Sequence, residues 1–276
     1  MLARRQLPEA YRRFNLRYGA PWGRHDLLTR LAHRAGGTVA DRALTLAPVR
    51  RWRGPFAFQW NTRTRAFEYP WVHEQLDGQR VRGRRLRILE IGGALSGLQF
   101  ALAVEGHQVT NVDPFLDFGD GGYLVDPARE HAALNAAFRT DVALHRTTLP
   151  EAALTGPFDA VVCVSTIEHL SRQDIADTLG TARQLLAPGG VVILTVDLFL
   201  DLVPFTDREA NRWGTNVPIA WLGEVLGCGE PVAGRPSELY GYPGFSPGAV
   251  LAGLEDFAMG TDYPQLAQLV AYRAPS

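Results

Sequence analysis

From Leu86 onward the chain alternates short apolar stretches with amphipathic ones, and this limits the fold more than any other feature. LRILEIG reads as a strand, SGLQFALAVEG as a helix stopped by Gly106, and HQVTNVDP as a second strand closing at Asp113. PAREHAALNAAF, entered through Asp126 and Pro127, reads as a helix and DVALHRTTL as a third strand. FDAVVCVS is almost wholly apolar, as a central parallel strand covered on both faces should be. QDIADTLGTARQLLAPGG reads as a helix with a glycine stop. VVILTVD and QLAQLVAYRA are two further strands. Strands separated by helices predict an α/β fold with a doubly wound, Rossmann-like sheet and right-handed crossovers.

Two regions lie outside this rhythm. Residues 1–80 are expected to form an N-terminal lobe or lid ahead of a main domain over 81–276. A short helix is expected at Leu27 to His33, behind the cap Asp26. The run RWRGPFAFQWNTRTRAFEYPW carries seven aromatic rings, which suit a satellite core or a pocket wall. Residues 198–248 are rich in Pro, Gly and aromatics and read as an irregular insertion of functional use. A helix is expected over 249–257.

All 28 basic residues are Arg, and 19 of them fall in residues 1–87 against 6 Asp/Glu. The simple reading is two oppositely charged halves that pack together. The sharper one is a basic face for an anionic ligand or RNA. Two cysteines are too few for a disulfide framework, and seven scattered histidines lack ligand spacing, so no metal is expected. No run approaches the ~18 apolar residues of a membrane span. The basic N-terminus lacks the apolar core of a secretory signal. A cytoplasmic setting follows, and a homodimer is compatible with the sequence.

The turn ILEIGGALSG, Ile88 to Gly97, fits two cofactors. Gly92-x-Ala94-x-x-Gly97 matches the relaxed dinucleotide fingerprint, and Glu90-x-Gly92 matches the turn that wraps S-adenosylmethionine. Asp113, 23 positions after Glu90, could accept two ribose hydroxyls of either ligand. Glu90 favours the second, because a carboxylate repels a pyrophosphate and attracts an ammonium and a sulfonium.

FDAVVCVSTIEHL and LLAPGGVVIL, in that order and spacing after the glycine turn, resemble the motifs of class I S-adenosylmethionine-dependent methyltransferases over roughly residues 80–200. The resemblance implies a seven-stranded sheet, mostly parallel with an antiparallel C-terminal strand. It implies S-adenosylmethionine as methyl donor and S-adenosylhomocysteine as product. Here Ala94 and Ser96 replace two of the family's turn glycines.

By that resemblance Glu90, Gly92, Gly93, Ala94 and Gly97 would pass along the methionine and ribose. Asp113 would hold the ribose, Pro114 and Phe115 would flank the adenine, and Thr148 and Leu149 would lie at its edge. Ser165 and Thr166 would line the floor. His169, just past the fourth strand, and Asp197, at the end of the fifth, are the candidate general bases. Tyr69, Trp71, Phe199, Arg212, Trp213, Asn216 and Tyr240 are candidates to line the acceptor pocket. The expected reaction is methyl transfer to O, N or C of a small molecule, anionic or aromatic in type. A nucleic-acid or peptide methyltransferase and a non-catalytic protein keeping the fold are the alternatives. STIEHL lacks the Asn-Pro-Pro-aromatic signature, which disfavours nucleic acid.

Overall fold

A computed structural model describes residues 5–19, 46–58, 64–78, 84–116, 126–259 and 264–275. The helix expected at Leu27 to His33 lies outside them.

One sheet is built from β1 (Arg87–Ile91), β2 (Gln108–Val112), β3 (Ala143–His145), β4 (Phe158–Val164), β5 (Leu186–Phe199) and β8 (Gln265–Arg273). Its order is β3-β2-β1-β4-β5-β8, parallel except for β8, which pairs antiparallel to β5 from Val191↔Arg273 to Phe199↔Gln265. The sheet has six strands, not seven. Between β5 and β8 the chain forms a separate hairpin, β6 (Ala210–Asn211) and β7 (Gly214–Thr215), rather than another sheet strand. Among the described residues the outer edge of β8 is met by one isolated bridge, Ala233↔Ala271.

The helices start where local chemistry lets them. In α5 (Pro127–Phe138) Asp126 accepts from Ala128 N at 3.1 Å, and Pro127 sits where a missing N–H costs nothing. In α6 (Arg172–Leu185) Ser171 accepts from Asp174 N at 3.1 Å. Helix α6 does not run to the glycines as expected. It stops at Leu185, Leu186 is extended, and Pro188 disfavours helix at the residue before it.

Each sheet face carries its own core. One is packed by α1 (Glu9–Tyr18), α3 (Arg65–Asp77), α4 (Gly97–Val104) and α5, with Phe56, Phe67, Leu76 and Phe100 fully buried. Each such side chain contributes about 1.5–3 kcal/mol. The other is packed by α6 and α7 (Ile219–Leu226). The N-terminal helices therefore share their core with the sheet. Arginines of α2 (Ala47–Arg53) are used internally: Arg50 pairs with Glu130 at 2.6 Å and Arg51 Nε donates to Ala137 O at 2.9 Å. This is the packing reading of the charge asymmetry.

The 198–248 segment is more ordered than expected. It holds the β6–β7 hairpin and α7, whose apolar face Ile219, Leu222 and Leu226 is buried and whose stop is Gly227 in the left-handed region. The helix expected over 249–257 is shorter, α8 (Pro247–Ala252), followed by a single 3-10 turn after Gly253.

Candidate active site

The strand order reverses between β1 and β4, and in open α/β sheets ligands lie at the carboxyl ends of strands at such a point. There β1 runs into the glycine turn. Gly92 has φ +68°, and a Cβ there would come within 2.3 Å of the Thr166 side chain. The position needs glycine for both reasons. A Cβ at Gly93 would meet Glu90 Cδ at 2.6 Å and Asn111 Oδ1 at 2.7 Å. Gly97 is required by packing: Pro55 and Phe56 cross it at 2.7 Å from a notional Cβ.

Glu90 is buried and accepts from Ser96 Oγ at 2.7 Å. Burial pushes its carboxyl up to about 7 against that hydrogen bond, and the charge of Asp113 adds to the rise. Its other oxygen, Oε2, and the neighbouring Asn111 Oδ1 are buried without a donor among the described residues.

Asp113, just past β2, clasps the turn. Its Oδ2 accepts from Ala94 N at 2.7 Å and its Oδ1 from Phe115 N at 2.6 Å. Burial raises its pKa, and the two amide bonds work against the rise. Asn111 Nδ2 donates to Ala94 O at 2.8 Å, so both peptide groups of Ala94 are fixed by β2. Ala94, Phe115 and Ser165 have φ of +43°, +54° and +47°. Such conformations cost non-glycine residues roughly 1–3 kcal/mol each. Three of them lie at adjoining strand ends, and Arg139 and Ala153 share this conformation elsewhere.

At the ends of β4 and β5 the chain gathers acid. Ser165 N donates to Thr195 O at 2.8 Å, the last backbone link of the two strands. Beyond it, Asp197 N donates to Glu168 Oε1 at 3.1 Å. Asp197 Oδ2 accepts from Ser165 Oγ at 3.0 Å and Gln265 Nε2 at 2.7 Å. Helix α3 brings in Glu68, which accepts from Thr195 Oγ1 at 2.5 Å and pairs with Arg65 at 2.8 Å. Glu68, Glu168 and Asp197 are fully buried. Burial, then the charges of Glu168 and Glu68, hold Asp197 well above the usual carboxylate range, against the pull of Arg65. Burial would lower Arg65, but Glu68 and its neighbours hold it higher still.

His169 is mostly enclosed, and its Nδ1 donates to the Trp213 carbonyl. Burial lowers its pKa, so the ring is neutral at pH 7 and its lone pair is on Nε2. The β6–β7 hairpin is pressed onto this turn: a Cβ at Gly214, φ +143°, would fall on Glu168 O.

The other expected residues divide. Ser165, Thr166, His169 and Asp197 come together with the glycine turn, and Trp213 joins them through His169. Thr148 is exposed and donates to Glu151 at 2.9 Å, while Leu149 is core. Tyr69, stacked on Phe56 at 4.7 Å, and Trp71 are buried in the core of one sheet face, and Phe199 is buried at the end of β5. All of the Asn216 amide goes to backbone: Phe199 N at 2.7 Å, and Phe199 O and Val203 O at 2.8 Å. It fastens the end of β5. Arg212 lies over the Trp213 ring, and Tyr240 packs edge-on against Phe245. Arg65, Glu68, Thr195 and Gln265 had not been expected at the site. Their signal is a polar residue inside an otherwise apolar element.

A family model described as "Methyltransferase domain" matches residues 31–222. The chain belongs to this methyltransferase family. The class I assignment drawn from the motifs holds, as does the doubly wound α/β fold apart from its strand count. Solved structures similar to this chain include a sarcosine dimethylglycine methyltransferase (as assigned) from Galdieria sulphuraria, with 14% identity, covering 75% of this chain and 85% of that one, TM-score 0.50. The N-methyltransferase NodS of Bradyrhizobium japonicum WM9, in complex with S-adenosyl-L-homocysteine, has 17% identity over 75% of this chain and 87% of its own, TM-score 0.45. No curated protein matches the sequence. Among the described residues no helix is long and apolar enough to cross a membrane.

Proposed function

We propose that this methyltransferase uses S-adenosylmethionine to methylate a small molecule, with the cofactor held by the β1 turn and Asp113. The observation that carries this is the turn itself: a left-handed Gly92 against Thr166, with Asp113 fixing Ala94 at the switch point of the sheet. The residues suit the cofactor. Each Asp113 oxygen has one backbone donor and can accept another from a ribose hydroxyl. Glu90 Oε2 and Asn111 Oδ1 lack donors among the described residues, and an ammonium supplies them. Bound S-adenosylmethionine provides an electrophilic methyl group on a sulfonium. The chain has to orient the acceptor and exclude water, and alignment is worth about 7–11 kcal/mol. The neutral ring of His169 is the candidate to take the acceptor's proton, with Asp197 as the second. The internal use of Arg50 and Arg51 favours a small acceptor over nucleic acid, and the soluble setting proposed is the cytoplasm.

Calorimetric titration with S-adenosylmethionine, S-adenosylhomocysteine and NAD tests the reading. Micromolar binding of the two adenosyl ligands alone, weakened in Asp113→Ala, is the expected result. NAD binding alone, or no binding of any ligand, would sink it.

A further inference from the structure

The carbonyl of Ala94 is held from inside the fold. Asn111 Nδ2 donates to it at 2.8 Å from β2, and Gln99 Nε2 donates to it at 3.2 Å from α4. A carbonyl oxygen has two lone pairs, so these two amides fill it. Gln99 is fully buried in an otherwise apolar helix, GLQFALAV. A buried amide is costly unless its hydrogen bonds are made, and leucine or methionine would avoid that cost. The other half of the Gln99 amide is met by α5. With Nε2 turned to Ala94, its Oε1 faces His131 Nε2 at 3.1 Å, so that ring nitrogen carries the proton. His131 is buried, and burial holds its pKa down to about 4, so the ring is neutral at pH 7. Its Nδ1 therefore has the lone pair, and Asn135 Nδ2 faces it at 3.5 Å. The Asn135 amide is fixed in that sense, because its Oδ1 accepts from Val142 N and Thr140 Oγ1, each at 2.9 Å. From Val142 N to Ala94 O every donor in this chain points the same way.

We propose that Gln99 and His131 are positioning residues for the cofactor: they hold Ala94, φ +43°, in the conformation whose N–H reaches Asp113. This rests on the reading above, in which that turn and Asp113 hold S-adenosylmethionine. Neither residue has to touch the ligand, because both act through the Ala94 carbonyl. Hydrogen bonds that run in one sense polarise and strengthen one another, so a loss at His131 reaches the turn two bonds away.

Calorimetric titration with S-adenosylhomocysteine tests this, with the thermal midpoint of each variant read separately. Gln99→Met keeps the volume and removes both bonds, and it should weaken binding about threefold to tenfold. His131→Leu should weaken it about threefold. His131→Gln keeps a donor near the position of Nε2 and should stay within about twofold of wild type. Packing alone predicts no advantage of Gln over Leu at a buried position. If Gln99→Met does not fold, the two His131 variants decide. Wild type that binds S-adenosylhomocysteine, with Gln99→Met and His131→Leu binding equally well whatever their midpoints, overturns the positioning role and leaves the methyltransferase reading standing. His131→Gln losing as much affinity as His131→Leu overturns the part of His131. Wild type that binds neither adenosyl ligand overturns the cofactor reading, and the positioning role with it.

Discussion

The two ends of the site are built on different plans. The β1–β2 end is made of backbone: turn amides, left-handed residues and one carboxylate that clasps them. The β4–β5 end is made of side chains, with carboxylates from α3, β5 and the turn after β4 sharing one guanidinium. A backbone cradle keeps its shape under most substitutions and suits a ligand that never changes. A side-chain cluster can be retuned residue by residue and suits the part of the reaction that varies. The contrast implies that damage to the first end should appear in cofactor affinity, and damage to the second in charge balance.

The largest effect is expected from removing Arg65, the cation of the acidic end among the described residues. Arg65→Met strands the buried Glu68 carboxylate without its ion-pair partner and should cost about 3–5 kcal/mol at neutral pH, by urea unfolding. The loss should shrink on acidification, as that carboxylate takes up a proton. A uniform loss at all pH values would show that Arg65 acts only by packing.

At the backbone end, Gly92→Ala combines a left-handed φ with a 2.3 Å approach to Thr166. It should cost about 2–4 kcal/mol and abolish measurable S-adenosylhomocysteine binding. An unchanged affinity would mean that the turn is not the cofactor cradle.

Glu90 sharpens the comparison through pH. Its folded pKa is raised from 4.5 to about 7, so between those values the native state keeps a proton that the unfolded chain has released. Stability from this group is therefore full below about pH 4.5 and is lost as pH rises to about 7. The full span is on the order of 3 kcal/mol. Glu90→Gln should remove that slope, measured as the wild-type-minus-variant difference in unfolding free energy against pH. Because a cationic ligand favours the ionised carboxylate, S-adenosylmethionine affinity should rise over the same interval in the wild type only.

The smallest effect is expected at Thr148, whose hydroxyl is exposed and bonded to Glu151. Thr148→Val should leave stability within about 0.5 kcal/mol and reduce S-adenosylhomocysteine affinity only a few-fold. A loss as large as that of Gly92→Ala would move the adenine into the centre of the recognition.

The same contrast explains what could be read from the chain. Glu90 to Gly97 is contiguous, and Asp113 closes the very next strand, so local spacing exposes the end proposed for the cofactor. Arg65, Glu68, Glu168, Asp197 and Gln265 lie up to 200 positions apart and meet only because α3 and β8 pack onto one sheet edge. Asp197 and Glu168 could be noticed singly as acids beside apolar strands, but their partners could not. The aromatic run shows the opposite failing. Rings such as Tyr69 and Trp71 look alike in sequence whether they line a pocket or fill a core, and α3 buries them. Helix α7 was missed because Pro and Gly around it read as loop, although Ile219, Leu222 and Leu226 keep helical spacing.

Strand β5 outruns its neighbour: β4 pairs with it only as far as Thr195, while β8 accompanies it to Phe199. At the first step beyond β4, the Asp197 amide finds its acceptor in the side chain of Glu168. The final rung of this ladder is thus spelled by a codon rather than by the polypeptide's repeating unit. A single nucleotide change can erase it, while the strands below stay paired. The carboxyl end of β5 is in this sense the part of the sheet most open to inheritance.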